Sequence, residues 1–92
     1  MTHDDIRNAV LECIKEVLDG RDAPEVTDRT NPVRDLGLDS EDGVAIACSL
    51  AEKFNCPIPD NVNPIVDDLK QRPRRVGEIV SLVEKLLTVR NT

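Results

Sequence analysis

Ser40 stands between Asp39 and Glu41 in the stretch DLGLDSEDG, with Asp42 two positions on. A serine that attacks a substrate needs a general base within hydrogen-bond reach to take its proton. The single histidine of the chain is His3, close to the N-terminus, and no G-x-S-x-G elbow surrounds the serine. Gly37 and Gly43 match neither the dinucleotide fingerprint nor the P-loop pattern. Ser40 therefore reads as a hydroxyl presented to another molecule. At the start of a helix, a phosphate attached to it would meet free backbone N–H groups and the positive end of the helix dipole. The carboxylates around it would then label the site for a basic modifying enzyme.

The other chemistry-bearing residues are few. Cys13, Cys48 and Cys56 lack the paired spacing of a zinc or redox site, so no metal is expected. Cys13 and Cys48 read as small core residues. Cys56 reads as a thiol that can be exposed, with no histidine near it in sequence to make it catalytic.

The elements that must position Ser40 follow from periodicity. Ile6, Val10, Cys13, Val17 and Leu18 recur at helical intervals, with Thr2 and Asp5 as a capping pair and Gly20 as a stop. Pro24, Asn31, Pro32 and Gly37 predict a loop over Arg21–Leu38, which Val26, Val33 and Leu36 pin to the core. A second helix is expected from Ser40 to about Asn55, with Asp39 as N-cap and Glu41 and Asp42 in its first turn. Val44, Ala47, Cys48, Leu50, Ala51 and Phe54 make its apolar face. Asn63 and Pro64 predict a short third helix over Pro64–Leu69. KQRPRR, Lys70–Arg75, is a basic break read as a solvated turn or a phosphate-binding or partner-binding patch. A last helix carries Val76, Ile79, Val80, Val83, Leu86 and Leu87 at helical spacing. The expected fold is all-α, a four-helix bundle of three longer helices and one short third helix, without strands, forming one domain over residues 1–92.

Composition bounds the partners. Hydrophobic residues are 39% of the 92 and charged residues 33%, with Phe54 the only aromatic, so the core is aliphatic. Such a balance is that of a globular chain. A net charge of −6 argues against nucleic acid, whose phosphates need Lys and Arg. Between Asp35 and Asp68 eight acids face one base, Lys53, which steers that third of the chain toward basic surfaces. No apolar run is long enough for a membrane span, and the polar start MTHDDIRN lacks a signal-peptide core, so a cytoplasmic protein is expected, and a short acidic domain of this kind is expected to be a monomer.

D-L-G-L-D-S at Asp35–Ser40, the apolar helix ending in Phe54 and I-P-D at Ile58–Asp60 together resemble the acyl carrier proteins of fatty acid and polyketide synthesis. The resemblance implies that a phosphopantetheinyl transferase esterifies Ser40 with 4'-phosphopantetheine, whose thiol carries acyl groups, and that the protein itself catalyses nothing. It implies further partners with basic docking surfaces: an acyl ligase, ketosynthase or acyltransferase. The family's second helix is an acidic recognition surface, onto which Asp39, Glu41, Asp42 and Glu52 map. Its core can open to shelter an acyl chain, which here gives a lining of Val10, Ile14, Leu36, Val44, Ile46, Phe54 and Val80. Two alternatives stand beside it, a peptidyl or aminoacyl carrier of nonribosomal synthesis and an unmodified helical interaction module. Departures from the family pattern bear on partners. Glu41 replaces the usual leucine, the helix reads VAIACSLAEKF where acids are usual, and Lys70–Arg75 is basic. Together they suggest a specialised carrier with dedicated enzymes.

Overall fold

The computed structural model describes residues 2–20, 25–58, 62–67 and 72–90. In chain order these form α1 (His3–Leu18), α2 (Pro32–Leu36), α3 (Ser40–Phe54), β1 (Val66–Asp67), β2 (Arg72–Pro73) and α4 (Val76–Arg90).

Each helix starts where its surroundings satisfy the first backbone N–H groups. In α1, Thr2 Oγ1 accepts from Asp5 N while Asp5 Oδ2 accepts from Thr2 N, the reciprocal capping expected from sequence. Hydrogen bonding to the Asp5 carboxyl, from the Thr2 backbone first and the Thr2 side chain second, holds it below its ordinary range. The helix closes at Asp19 and Gly20, both at positive φ. In α4, the carbonyls of Thr30 and Asp28 accept from Val76 N and Gly77 N at 2.9 Å, so the long loop caps a distant helix.

That loop is not irregular throughout, contrary to the sequence expectation. Asn31 and Pro32, read as breakers, are instead the N-cap and first residue of α2, and Gly37 closes it in the left-handed region. Proline at a helix start and glycine just past its end each suit the backbone there. Asn31 Oδ1 accepts from Val33 N and Arg34 N. Val26, Val33 and Leu36 pack against the core as expected.

The short helix expected over Pro64–Leu69 is also corrected. Asn63 Oδ1 accepts from Ile65 N, but the chain then turns into β1, which pairs antiparallel with β2 through Val66 with Pro73 and Asp67 with Arg72. Asp68 and Leu69 lie outside the described residues, as do Arg21, Pro24, Asp60, Lys70 and Gln71. Arg74 explains why a ladder forms here. Its Nη1 donates to the carbonyls of Asn63, Pro64 and Val66 at 2.9, 3.4 and 2.9 Å, filling acceptors that a helix would have used internally. Arg72 forms a two-pronged ion pair with Glu78, and Arg75 donates to the Arg29 carbonyl. Such bidentate pairs fix geometry as well as charge. The described part of the basic segment is therefore structural.

The four helices among the described residues are thus three long and one short, with the short one second in the chain. α1 packs on both α3 and α4. The core is aliphatic: Ile6, Val10, Cys13, Ile14 and Leu18 from α1 meet Ile46 and Leu50 of α3 and Val76, Ile79, Val80 and Val83 of α4, with Leu38 and Ile65 closing it. Lys53 ties α3 to α1 through Glu12 and Glu16 at 3.3 and 3.5 Å, and the Glu12 bond leads the causes that raise its pKa.

Candidate functional site

Ser40 is the first residue of α3 and is exposed. Two constraints fix it. Gly37 turns the chain and Leu38, 2% exposed, anchors it in the core just before the helix. Asp39 and Asp42 then form a reciprocal capping box around Ser40 and Glu41, each side chain accepting the other's backbone N–H, which satisfies donors the helix itself leaves open. Asp39, Glu41 and Glu52 are exposed and Asp42 is half-buried, so the expected recognition carboxylates reach solvent on the helix that carries the serine.

The face that α3 buries differs from expectation. Gly43, Ile46 and Leu50 are buried, whereas Val44 is 58% exposed and Cys48 is also exposed. At 3.6 residues per turn Val44 and Cys48 each lie about 160° round the helix from Ile46. In VAIAC either face is apolar, and close contact at Gly43 together with the Lys53 tether selects the one centred on Ile46. Val44 is therefore removed from the acyl lining and Cys48 from the core. Glu41, Val44, Ala45, Cys48 and Glu52 form one exposed ridge, apolar in the middle and acidic at both ends. Cys56 is corrected in the opposite sense, being 7% exposed.

Of the remaining expected lining, Val10, Ile14, Ile46 and Val80 are buried, and Leu36 and Phe54 are half-buried against them. The nearby space lies elsewhere. An apolar pocket of about 10 Å³ opens between the C-terminal half of α3 and α4, lined by Leu50, Phe54, Ile58, Val83, Leu86 and Leu87, with Cys56. That volume holds at most about one water, so the core is closed around it. Of the residues expected to line an acyl shelter, Phe54 is the one that borders this pocket.

Sequence reasoning also missed Asn63 and Gly43 as neighbours of the serine. The Asn63 amide lies against Gly43 and donates to the Ser40 carbonyl at 3.4 Å. A glycine inside a helix was the available signal, because it often has a packing or functional reason.

The exposed Ser40 stands at the mouth of a 15-residue helix, whose dipole favours an attached phosphate and so fits a covalently held phosphorylated arm. Among the described residues no helix is long and apolar enough to cross a membrane.

Comparison with known proteins identifies the family. The family described as "Phosphopantetheine attachment site" matches residues 8–62. An acyl carrier protein of Helicobacter pylori strain J99 is 38% identical over 63 residues, spanning 68% of this chain and 72% of that protein. An acyl carrier protein of Guillardia theta is 37% identical over 71 residues, 77% of this chain and 86% of that one. No solved structure matches. The cofactor of such proteins is covalently attached 4'-phosphopantetheine, and they are carriers, not enzymes. By the matched segment and by both relatives, this chain belongs to the acyl carrier protein family.

Proposed function

We propose that Ser40 is the residue that holds 4'-phosphopantetheine, and that residues 1–92 work as one carrier unit. The observation that carries the assignment is the exposure of Ser40 at the start of α3, inside the Asp39–Asp42 capping box. The cap fixes the backbone on both sides of the serine while its hydroxyl stays accessible, which suits a residue that an enzyme must modify. When bound, the group supplies a thiol that carries acyl groups as thioesters. The chain's own contribution is to present that arm and to be recognised.

Proteins of this family engage a phosphopantetheinyl transferase and the enzymes of synthesis. For this chain we assign recognition to Asp39, Glu41, Asp42 and Glu52, with the Val44–Cys48 ridge between the two ends. Basic partner residues would meet the end carboxylates, and an apolar patch would cover the middle. Such a surface suits dedicated ligases, ketosynthases or acyltransferases of fatty acid, polyketide or related lipid synthesis, acting on a cytoplasmic monomer. Val10, Ile14, Leu36, Ile46, Phe54 and Val80 would line an acyl shelter once the core parts, beginning at the pocket beside Phe54.

The test is intact mass after incubation of the full chain with coenzyme A and a broad-specificity transferase. One phosphopantetheine is gained by the wild type and none by Ser40→Ala. Unchanged mass with several transferases, or modification that survives Ser40→Ala, overturns the assignment.

A further inference from the structure

Gly43 is the one glycine inside α3, and glycine is the poorest helix former after proline. Its neighbour accounts for it. A Cβ at Gly43 would stand 2.1 Å from Asn63 Oδ1, 2.7 Å from Nδ2 and 2.8 Å from Cγ, so the Asn63 amide occupies the space that any other side chain would fill. Both ends of that amide are used. Oδ1 accepts from Ile65 N at 3.1 Å, and Nδ2 donates to the Ser40 carbonyl at 3.4 Å, so the two bonds agree on which end is nitrogen. Asn63 is itself held from behind, because its own carbonyl accepts from Arg74 Nη1 at 2.9 Å and from Val66 N at 3.2 Å. A continuous path therefore runs from Arg74 through the Asn63 turn to the backbone of Ser40.

We infer that Asn63 is a positioning residue for the modification of Ser40: its amide, admitted by Gly43 and backed by Arg74, holds the first turn of α3 so that the Ser40 hydroxyl faces the incoming transferase in one orientation. The inference rests on Ser40 being the attachment residue. A carbonyl oxygen has two lone pairs, so the Ser40 carbonyl can take this donor beside its bond within the helix, and the second donor restrains rotation of the peptide that carries the hydroxyl. Helix ends fray, and small misplacements of a reacting atom are costly in rate. Asn63 lies off the exposed carboxylate ridge, so its loss falls on the rate of transfer and leaves recognition intact.

The experiment measures kcat and KM for transfer from coenzyme A to the 92-residue chain by time-resolved intact mass. Five forms are compared: wild type, Ser40→Ala, Asn63→Ser, Gly43→Ala and the Asn63→Ser/Gly43→Ala double variant. Serine keeps an acceptor for Ile65 N but is too short to reach Ser40. Gly43→Ala keeps Asn63 and displaces its amide. Each single latch variant is expected to lower kcat about tenfold with KM within about twofold of wild type. The double variant is expected to be no slower than Asn63→Ser alone, since the new methyl then meets no amide. Wild-type kcat in either single variant, a loss confined to KM, or multiplying losses in the double variant overturns the positioning role. If Asn63→Ser fails to fold by circular dichroism, Gly43→Ala decides alone, because alanine is the better helix former. Modification that survives Ser40→Ala, or none in the wild type, overturns the Ser40 assignment and the latch with it; a modified wild type beside an unmodified Ser40→Ala leaves failure of the latch as a separate result.

Discussion

Asp39 and Asp42 accept each other's backbone N–H at 3.0 Å, and Ser40 and Glu41 lie between them. The same aspartates that look like a docking label therefore hold the helix start, and the two roles separate by substitution. Asp39→Asn keeps an N-cap acceptor and removes the charge; Asp39→Ala removes both. Asp39→Ala is expected to lower stability by about 1 kcal/mol in urea unfolding, and Asp39→Asn by much less. If the charge also guides partners, Asp39→Asn raises the transferase KM in proportion to the loss of salt sensitivity. A KM equal to wild type at low salt leaves Asp39 a cap alone.

Arg74 gathers three carbonyls at one guanidinium nitrogen. Arg74→Ala leaves them with no donor from this side chain, and hydrogen bonds to a charged group contribute about 2 kcal/mol. The urea midpoint should fall accordingly with the slope unchanged. An unchanged midpoint would mean that water replaces the arginine without loss, and that Arg74 is as solvated as a run of basic residues first suggests.

The contrast between the Asp39 cap and the Arg74 bridge marks how much was legible in the chain. The three long helices could be read because each spans several periods of apolar residues, and because Thr2 with Asp5 and the N-cap Asp39 announce two of their starts. α2 escaped because five residues give no period. Its signals are Asn31, Pro32 and Gly37, each a breaker on its own although together they are the start and stop of a helix. The two-residue strands depend on Arg74 meeting carbonyls eight to eleven positions away, which no local propensity encodes. The buried face of α3 was ambiguous for a different reason, since a run of small and apolar residues offers two stripes and packing against α1 chooses between them.

The thiols give a direct reading of that choice. Cys13 is fully buried, and burial pushes its pKa up to about 11, with the nearby Lys53 charge opposing. Cys56 is buried as well, and Cys48 is exposed. In the native protein at neutral pH a disulfide reagent should titrate one thiol rapidly, and Cys48→Ser should abolish that phase. Denaturant should then release the other two. Fast labelling of Cys56 would contradict its placement beside the Phe54 pocket.

Asp5 provides the pH test. Its carboxyl is held below the ordinary 3.8 by hydrogen bonds from Thr2, so the folded state prefers it ionised. The stabilisation is complete above that value and is lost as pH falls through the lower folded-state pKa. Asp5→Asn, which lacks the charge, should be less stable than wild type at about pH 7, and the gap should close as pH is lowered below 3.8 and through the folded-state value. Parallel urea midpoints across that range would show that the carboxylate contributes nothing specific to α1.

Val44 and Ile46 test the exposed ridge of α3 from its two sides. Ile46 is fully buried within the core that α1 and α4 share with α3. Ile46→Ala should cost about 3 kcal/mol through lost contact and an unfilled cavity. Val44 is the exposed large hydrophobic of the same helix. Val44→Asp should therefore leave stability within about 0.5 kcal/mol of wild type. The same substitution places a charge in the apolar centre of the surface proposed for docking, between Glu41 and Glu52. A partner that covers this ridge must then desolvate an unpaired carboxylate, which weakens association by about tenfold or more. Measured as KM for a ketosynthase or transferase acting on correctly folded Val44→Asp protein, that rise would place the partner on the ridge. An unchanged KM would move the contact to the acidic end around Ser40 alone.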